Sequence, residues 1–166
     1  KDTYAAWVRA CKKAGAKVIL DADGELLAEG LKASPYLIKP NNHELSALMG
    51  EKLESPTELE KAARDLMEKY SIAKMVISMG GAGALYVTEE ETLYAEGLKV
   101  PVKSTVGAGD SVVAALAVAE ESGKSLEDTV RLSTAAGAAN VMCSGTQAAE
   151  YDTIKNLIPK VVFHKL

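Results

Sequence analysis

Apolar positions along the 166-residue chain follow two alternating rhythms. Tyr4, Ala5, Val8 and Cys11 recur at helical spacing and are followed by Gly15, a natural end signal, so residues 2–15 read as a helix. Lys17-Val-Ile-Leu-Asp21 is then a short β-branched run of the kind that forms a buried strand. Asp23-Gly24 makes a turn, residues 25–31 a short helix, and Tyr36-Leu-Ile38 a second strand closed by Lys39-Pro40. A further helix starts near Glu44. Ser55-Pro-Thr-Glu58 carries a serine N-cap, a proline in the first turn and a glutamate placed to complete a capping box, and predicts a helix to about Tyr70.

Lys74-Met-Val-Ile-Ser78 is a third strand and runs into Gly80-Gly-Ala-Gly83. Residues 84–87 and 92–96 predict an antiparallel ribbon turning at 89–91, and Val100-Pro-Val102 one more extended piece. From Asp110 the spacing turns helical, over 110–121, over 125–143 with Ser125-Leu-Glu-Asp128 as a second capping box, and over about 151–158. Strands alternating with helices predict an α/β fold, a mainly parallel sheet with helices on both faces. In such sheets ligands bind beyond the carboxyl ends of strands. Each glycine- or asparagine-rich candidate falls where a strand hands over to a loop or helix.

Composition narrows the class. One Trp, one Phe and six Tyr leave the core to Ala, Val, Leu and Ile. A net charge of -4 argues against a nucleic-acid partner, yet allows a small anion, because backbone dipoles bind phosphate inside an acidic protein. Cys11 and Cys143 have no metal-ligand spacing, which implies a reducing, cytoplasmic setting without disulfides. No apolar run approaches the length of a membrane span. Lys1 stands where a complete chain has Met, and the opening helix feeds straight into a strand, so the chain reads as one part of a longer polypeptide.

The chemistry concentrates in Ser104-Thr-Val-Gly107-Ala108-Gly109-Asp110-Ser111. Two glycines around Ala108 allow tight bends that aim successive N–H groups at one point, and the helix that follows adds its positive end. Such an anion cradle suits a transferring phosphoryl group, and Asp110 stands where it can take the proton of the attacking alcohol. The plainer alternative makes Asp110 a helix N-cap.

Lys39-Pro-Asn41-Asn-His-Glu44 offers oxygen ligands of the type Mg²⁺ prefers, and here the plain alternative is an N-capping Asn with a solvated Glu. Ser78-Met-Gly80-Gly81-Ala82-Gly83 resembles a dinucleotide loop only superficially. Its spacing is not G-x-G-x-x-G and a strand follows it, which excludes a nicotinamide-dependent reductase; a plain glycine-rich turn remains open. Ser133-Thr-Ala-Ala-Gly137-Ala-Ala-Asn140 is a small-residue helix face, suited to close packing or to a ligand neighbour.

Thr105-Val-Gly-Ala-Gly-Asp-Ser111 resembles, nearly letter for letter, the carboxyl-terminal signature of PfkB-type (ribokinase-like) carbohydrate kinases. The resemblance covers essentially all of residues 1–166. It implies a ribokinase-like α/β fold without its N-terminal half and lid, with this chain as the nucleotide-binding part that keeps the ATP and Mg²⁺ apparatus but lacks most sugar contacts. It also implies Asp110 as catalytic base, with Gly107, Ala108 and Gly109 as an amide anion hole, and Asn41 and Glu44 as the N-x-x-E element that organises Mg²⁺. Ser78, Gly80, Gly81, Ala82 and Gly83 become ATP contacts, with Lys39 near the phosphates and Asn140 beside the base or ribose. Ser104 replaces the family's more frequent Asp, and with Lys39-Pro-Asn points to the branch containing 1-phosphofructokinase and tagatose-6-phosphate kinase. The implied partners are ATP and a sugar phosphate, fructose 1-phosphate before tagatose 6-phosphate. A non-catalytic nucleotide-binding module is the competing class. Without the opening strands a free sheet edge would favour a homo-oligomer.

Overall fold

The structure is a computed structural model and describes residues 2–166. Its elements follow the sequence rhythm closely. Helix α1 (Thr3–Lys13) ends at Ala14, and Gly15 follows in the left-handed region with φ 83°. Strand β1 (Ile19–Leu20), helix α2 (Gly24–Leu31) and strand β2 (Leu37–Ile38) come next. Helix α3 (Asn42–Met49) starts two residues before Glu44 because Asn41 caps it. Helix α4 (Pro56–Tyr70) opens on the expected capping box: Ser55 accepts the Glu58 N–H, and Glu58 accepts the backbone N–H groups of Ser55 and Glu54 at 3.0 and 2.8 Å. These backbone donors, that of Glu54 first, hold the Glu58 carboxyl below its ordinary range.

Strands β3 (Lys74–Ser78), β4 (Gly83–Thr88) and β5 (Thr92–Glu96) precede helices α5 (Ala108–Glu121), α6 (Leu126–Val141) and α7 (Tyr151–Leu157), and β6 (Phe163–Lys165) closes the series. At the start of α6 Ser125 accepts the Asp128 N–H, so the serine half of the predicted box is present. The sheet has the order β1-β2-β3-β4-β5-β6 and is mixed. β1, β2 and β3 are parallel, with Leu20 beside Ile38 and Ile38 beside Met75. β4 and β5 join through a short turn. β6 runs antiparallel to β5, since the Glu96 N–H donates to the Val162 carbonyl and the Leu166 N–H to that of Thr92. Val100–Val102, expected as an extended piece, belongs to no strand, in keeping with Pro101, which has no N–H to donate. Among the described residues no helix is long and apolar enough to cross a membrane.

By its internal packing the chain divides into two compact units. One runs to Met79 and adds Leu85–Thr92 and Lys165–Leu166; the other holds Gly80–Ala84 and Leu93–His164. In the first, Leu27, Leu31, Leu37, Ile38, Leu45, Met75 and Ile77 form a buried aliphatic core. In the second, Leu116, Ala119, Val130, Ala135 and Ala139 bury the faces of α5 and α6. The small-residue face of α6 is needed there: a Cβ on Gly137 would lie 2.9 Å from Val112 Cγ2 of α5.

Within the first unit a polar network ties α4 to the turn between β4 and β5. Arg64 donates to Glu60 Oε1 (3.1 and 3.0 Å), to the Thr88 carbonyl (3.0 Å) and to Thr92 Oγ1 (3.0 Å), while Thr92 Oγ1 donates to Glu60 at 2.6 Å. Thr92 is buried, so losing the guanidinium strands acceptors that water reaches poorly. We expect Arg64→Ala to cost about 1–3 kcal/mol and to lower the melting temperature by roughly 2–4 °C per kcal/mol. Arg64→Lys, which keeps the charge and loses the planar fork, should recover only part of it. Thermal melts of the two variants check this, and an Arg64→Ala variant as stable as the parent would remove the network from the account.

Candidate active site

The first unit gathers its chemistry at the carboxyl ends of three adjacent parallel strands. Asp21 follows β1, Lys39-Pro40-Asn41 follows β2, and Ser78 ends β3. Asn41 and Ser78 continue the ladder as a parallel bridge, with the Ser78 N–H donating to the Pro40 carbonyl at 3.0 Å. This is the sheet edge where open α/β folds hold ligands.

Asn41 and Glu44 form a reciprocal capping box. The Glu44 N–H donates to Asn41 Oδ1 at 2.9 Å, and the Asn41 N–H donates to Glu44 Oε2 at 2.8 Å. The capping alternative is therefore realised, and it fixes both side chains at the start of α3. One carboxylate oxygen of Glu44 stays outside the box, which fits a role beside Mg²⁺, an ion that keeps most of its waters and takes only one or two carboxylates. Among the described residues no group of three His, Cys, Asp or Glu could hold a metal by itself, so a cation here would need phosphate oxygens and water. His43 is exposed in the first turn of α3.

In the second unit Gly80–Ala82 forms a single 3-10 turn and Gly83 starts β4. Gly80, Gly81 and Ala82 are exposed, and a Cβ on Gly80 or Gly81 would meet nothing within 4 Å, so their backbone is open to a ligand. Two contacts hold this loop in place. The Tyr94 hydroxyl donates to the Ala82 carbonyl at 2.9 Å, and the Gly97 N–H donates to the same carbonyl at 3.3 Å. Gly97 passes so near that a Cβ there would lie 2.0 Å from the Gly81 oxygen. Sequence reasoning missed Gly97 and Tyr94. A glycine directly after the run Thr92–Glu96 was the available signal, since glycine beside a strand often marks close backbone approach.

The same unit carries the bend before α5. Gly107 is the N-cap, with φ 83° and ψ -2°, a left-handed conformation that glycine adopts without penalty. Ala108 and Gly109 are the first helical residues; the Ala108 N–H makes a long contact back to the Thr105 carbonyl at 3.4 Å, while the Gly109 N–H is among those that a helix start leaves without an intrahelical partner. Asp110 is the third helical residue and is exposed. The cap position belongs to Gly107, so Asp110 does not cap the helix; its carboxylate stands free beside the positive end of α5. Upstream, Ser104 Oγ accepts the Val106 N–H at 3.2 Å, and the N–H groups of Lys103 and Ser104 donate to the Val141 carbonyl, which ties the loop to the end of α6.

Asn140 lies directly under the bend. It is 4% exposed, its Nδ2 donates to the Gln147 carbonyl at 3.3 Å, and its amide sits 3.6 to 3.7 Å from where a Cβ on Gly107 would be. Its Oδ1 is buried without a partner among the described residues. Asn140 thus joins the Gly107 bend to the turn ending at Gln147.

These motifs have clear relatives. Residues 1–153 match the family described as pfkB family carbohydrate kinase. The chain is 38% identical over 161 residues to 1-phosphofructokinase of Haemophilus influenzae, which covers 96% of this chain and 51% of that protein. Among solved structures, phosphofructokinase-2 from Escherichia coli in complex with substrates and products superposes with a TM-score of 0.89 at 34% identity, over 95% of this chain and 52% of the other. Arabidopsis thaliana ribokinase complexed with ribose and ATP gives a TM-score of 0.83 at 28% identity, over 94% of this chain and 52% of that one. The chain spans about half the length of the relatives it matches. A family match over residues 1–153 of the 166 establishes that the chain belongs to the pfkB family of carbohydrate kinases.

Proposed function

We propose that this chain is the nucleotide-binding part of an ATP-dependent sugar-phosphate kinase. The supported reaction transfers the terminal phosphoryl group of ATP to a free hydroxyl of a phosphorylated ketohexose. Fructose 1-phosphate, giving fructose 1,6-bisphosphate, is the first choice. The single observation that carries this reading is the left-handed Gly107 bend that opens α5 with an exposed, uncapping Asp110 three residues on.

Phosphoryl transfer asks little covalent chemistry of a protein; it asks for positioning and for neutralised charge. The N–H groups of Gly107, Ala108 and Gly109, reinforced by the α5 dipole, take the developing negative charge. Asp110 accepts the proton of the attacking hydroxyl. Ser78 and the open backbone of Gly80, Gly81, Ala82 and Gly83 contact ATP, and Lys39 meets its phosphates. Asn41 and Glu44 are the residues that would help hold Mg²⁺, which would supply charge neutralisation to the phosphates. Asn140, buried under Gly107, fixes the bend and the turn that border the base. A purely nucleotide-binding module has no use for an acid left uncapped beside an anion cradle, and that favours the kinase reading. Tagatose 6-phosphate is the second substrate choice, since the family resemblance puts most sugar contacts in the half that this chain does not span.

The test is calorimetric titration of the chain with Mg²⁺ and AMP-PNP. Saturable one-to-one binding is expected, weakened by removal of Mg²⁺. Absence of binding at millimolar nucleotide would defeat the proposal.

A further inference from the structure

Lys39 is the only buried charged residue of the described chain, and the way it is buried assigns a function to a residue outside the signature motifs. Its side chain is 9% exposed and its Nζ lies 3.3 Å from Asp21 Oδ2, whose own side chain is 33% exposed. The register explains the meeting. Leu20 of β1 sits beside Ile38 of β2, so one residue further along each parallel strand Asp21 stands beside Lys39, and both point to the face opposite Leu20 and Ile38.

A lysine ammonium usually reaches water on its flexible stem. Burying it instead is costly unless a counter-ion is supplied. Here the counter-ion comes from the neighbouring strand, at the sheet edge that also holds Asn41 and Ser78. An ammonium has three N–H donors, and one carboxylate oxygen at this distance engages only one of them.

We propose that Asp21 is the positioning residue for Lys39: it holds the ammonium at the carboxyl end of β2, with its remaining donors presented to the phosphates of ATP. The inference rests on the nucleotide-binding reading above and extends it to a residue on another strand. In the resting state Asp21 balances the lysine, and it does not itself contact the nucleotide. Its effect therefore passes wholly through Lys39.

That last property gives the test, a double-mutant cycle read by titration with Mg²⁺ and AMP-PNP. Asp21→Asn and Lys39→Met should each weaken binding about tenfold, as expected for a lost charge-assisted hydrogen bond. The double variant should be no weaker than Lys39→Met alone, within about twofold, because residues acting as one unit are not additive. Asp21→Glu should recover most of the affinity. In thermal melts Asp21→Asn should be the less stable single variant, with part of the loss regained in the double variant, where no charge is left buried and unpaired. That recovery keeps the cycle readable if Asp21→Asn alone folds poorly. Affinity that is unchanged or tighter in Asp21→Asn, or losses that multiply to about a hundredfold in the double variant, overturns the positioning role while leaving nucleotide binding intact. A parent chain that binds no Mg²⁺ and AMP-PNP overturns the functional proposal and this role with it.

Discussion

Asp110→Asn, placed in a full-length kinase carrying this nucleotide-binding part, is expected to slow phosphoryl transfer from ATP to fructose 1-phosphate by roughly 10²- to 10⁴-fold, the usual contribution of a positioned general base. Nucleotide affinity should stay within about twofold, since the amides that cradle phosphate are untouched. The substitution is nearly isosteric and removes only the acceptor of the alcohol proton. In barrier terms the loss is about 3–5 kcal/mol. The cost in stability is far smaller, because a carboxylate in the first turn of an exposed helix start contributes about 0.3–1 kcal/mol through the helix dipole. The separation matters: a structural residue would lower stability and rate together, whereas a base lowers rate alone. Single-turnover transfer of labelled γ-phosphate, at saturating ATP and excess sugar phosphate, reads rates well below those needed for steady-state assay. Transfer by Asp110→Asn at the parent's rate would remove Asp110 from the chemistry and leave the bend as a binding element.

Whether Asp110 caps α5 could be asked from sequence but not decided there. Aspartate after Gly-Ala-Gly is compatible with capping the helix, and only the helix start at Ala108, with the Ser111 N–H donating to the Gly107 carbonyl, shows that the cap lies three residues earlier. The same limit recurs across the molecule. Helix α4 was legible from end to end because its cap, its first-turn proline and its apolar spacing are all local. Strand β3 was legible for the same reason, as a run bounded by a strong breaker. By contrast β6 has only three residues and no alternation, and its place comes from pairing with a strand far away in the chain. Asn41 and Glu44 were readable as a pair, yet their reciprocal hydrogen bonds serve α3 as well as any cation. The Asp21–Lys39 pair was invisible because strand register, not sequence distance, brings it together. Motif residues were thus legible as a set, and the partners that hold them were not.

Gly83→Ala is expected to destabilise the chain by about 3–5 kcal/mol, combining backbone strain with forced overlap. Gly83 has φ 113°, outside the range of ordinary L side chains, and its new Cβ would lie 1.9 Å from the Ala95 carbonyl oxygen and 2.8 Å from the Gly97 nitrogen. Both obstacles are backbone atoms of the neighbouring strand and its exit, so no rotamer change relieves them. Relief requires the loop and β5 to move apart, which strains the hydrogen bonds from Tyr94 and Gly97 to the Ala82 carbonyl. A fall in melting temperature of roughly 6–20 °C follows at about 2–4 °C per kcal/mol. Nucleotide affinity should fall with it, because the displaced segment is the one proposed to contact ATP. Gly81→Ala is the matched control from the same motif: its Cβ would meet nothing within 4 Å and its φ is not positive, so stability should change by less than about 0.5 kcal/mol. Backbone crossing, rather than glycine content, then governs the loop. Equal losses in the two variants would contradict this, since two alanines two residues apart would be failing for a reason unrelated to the space around them.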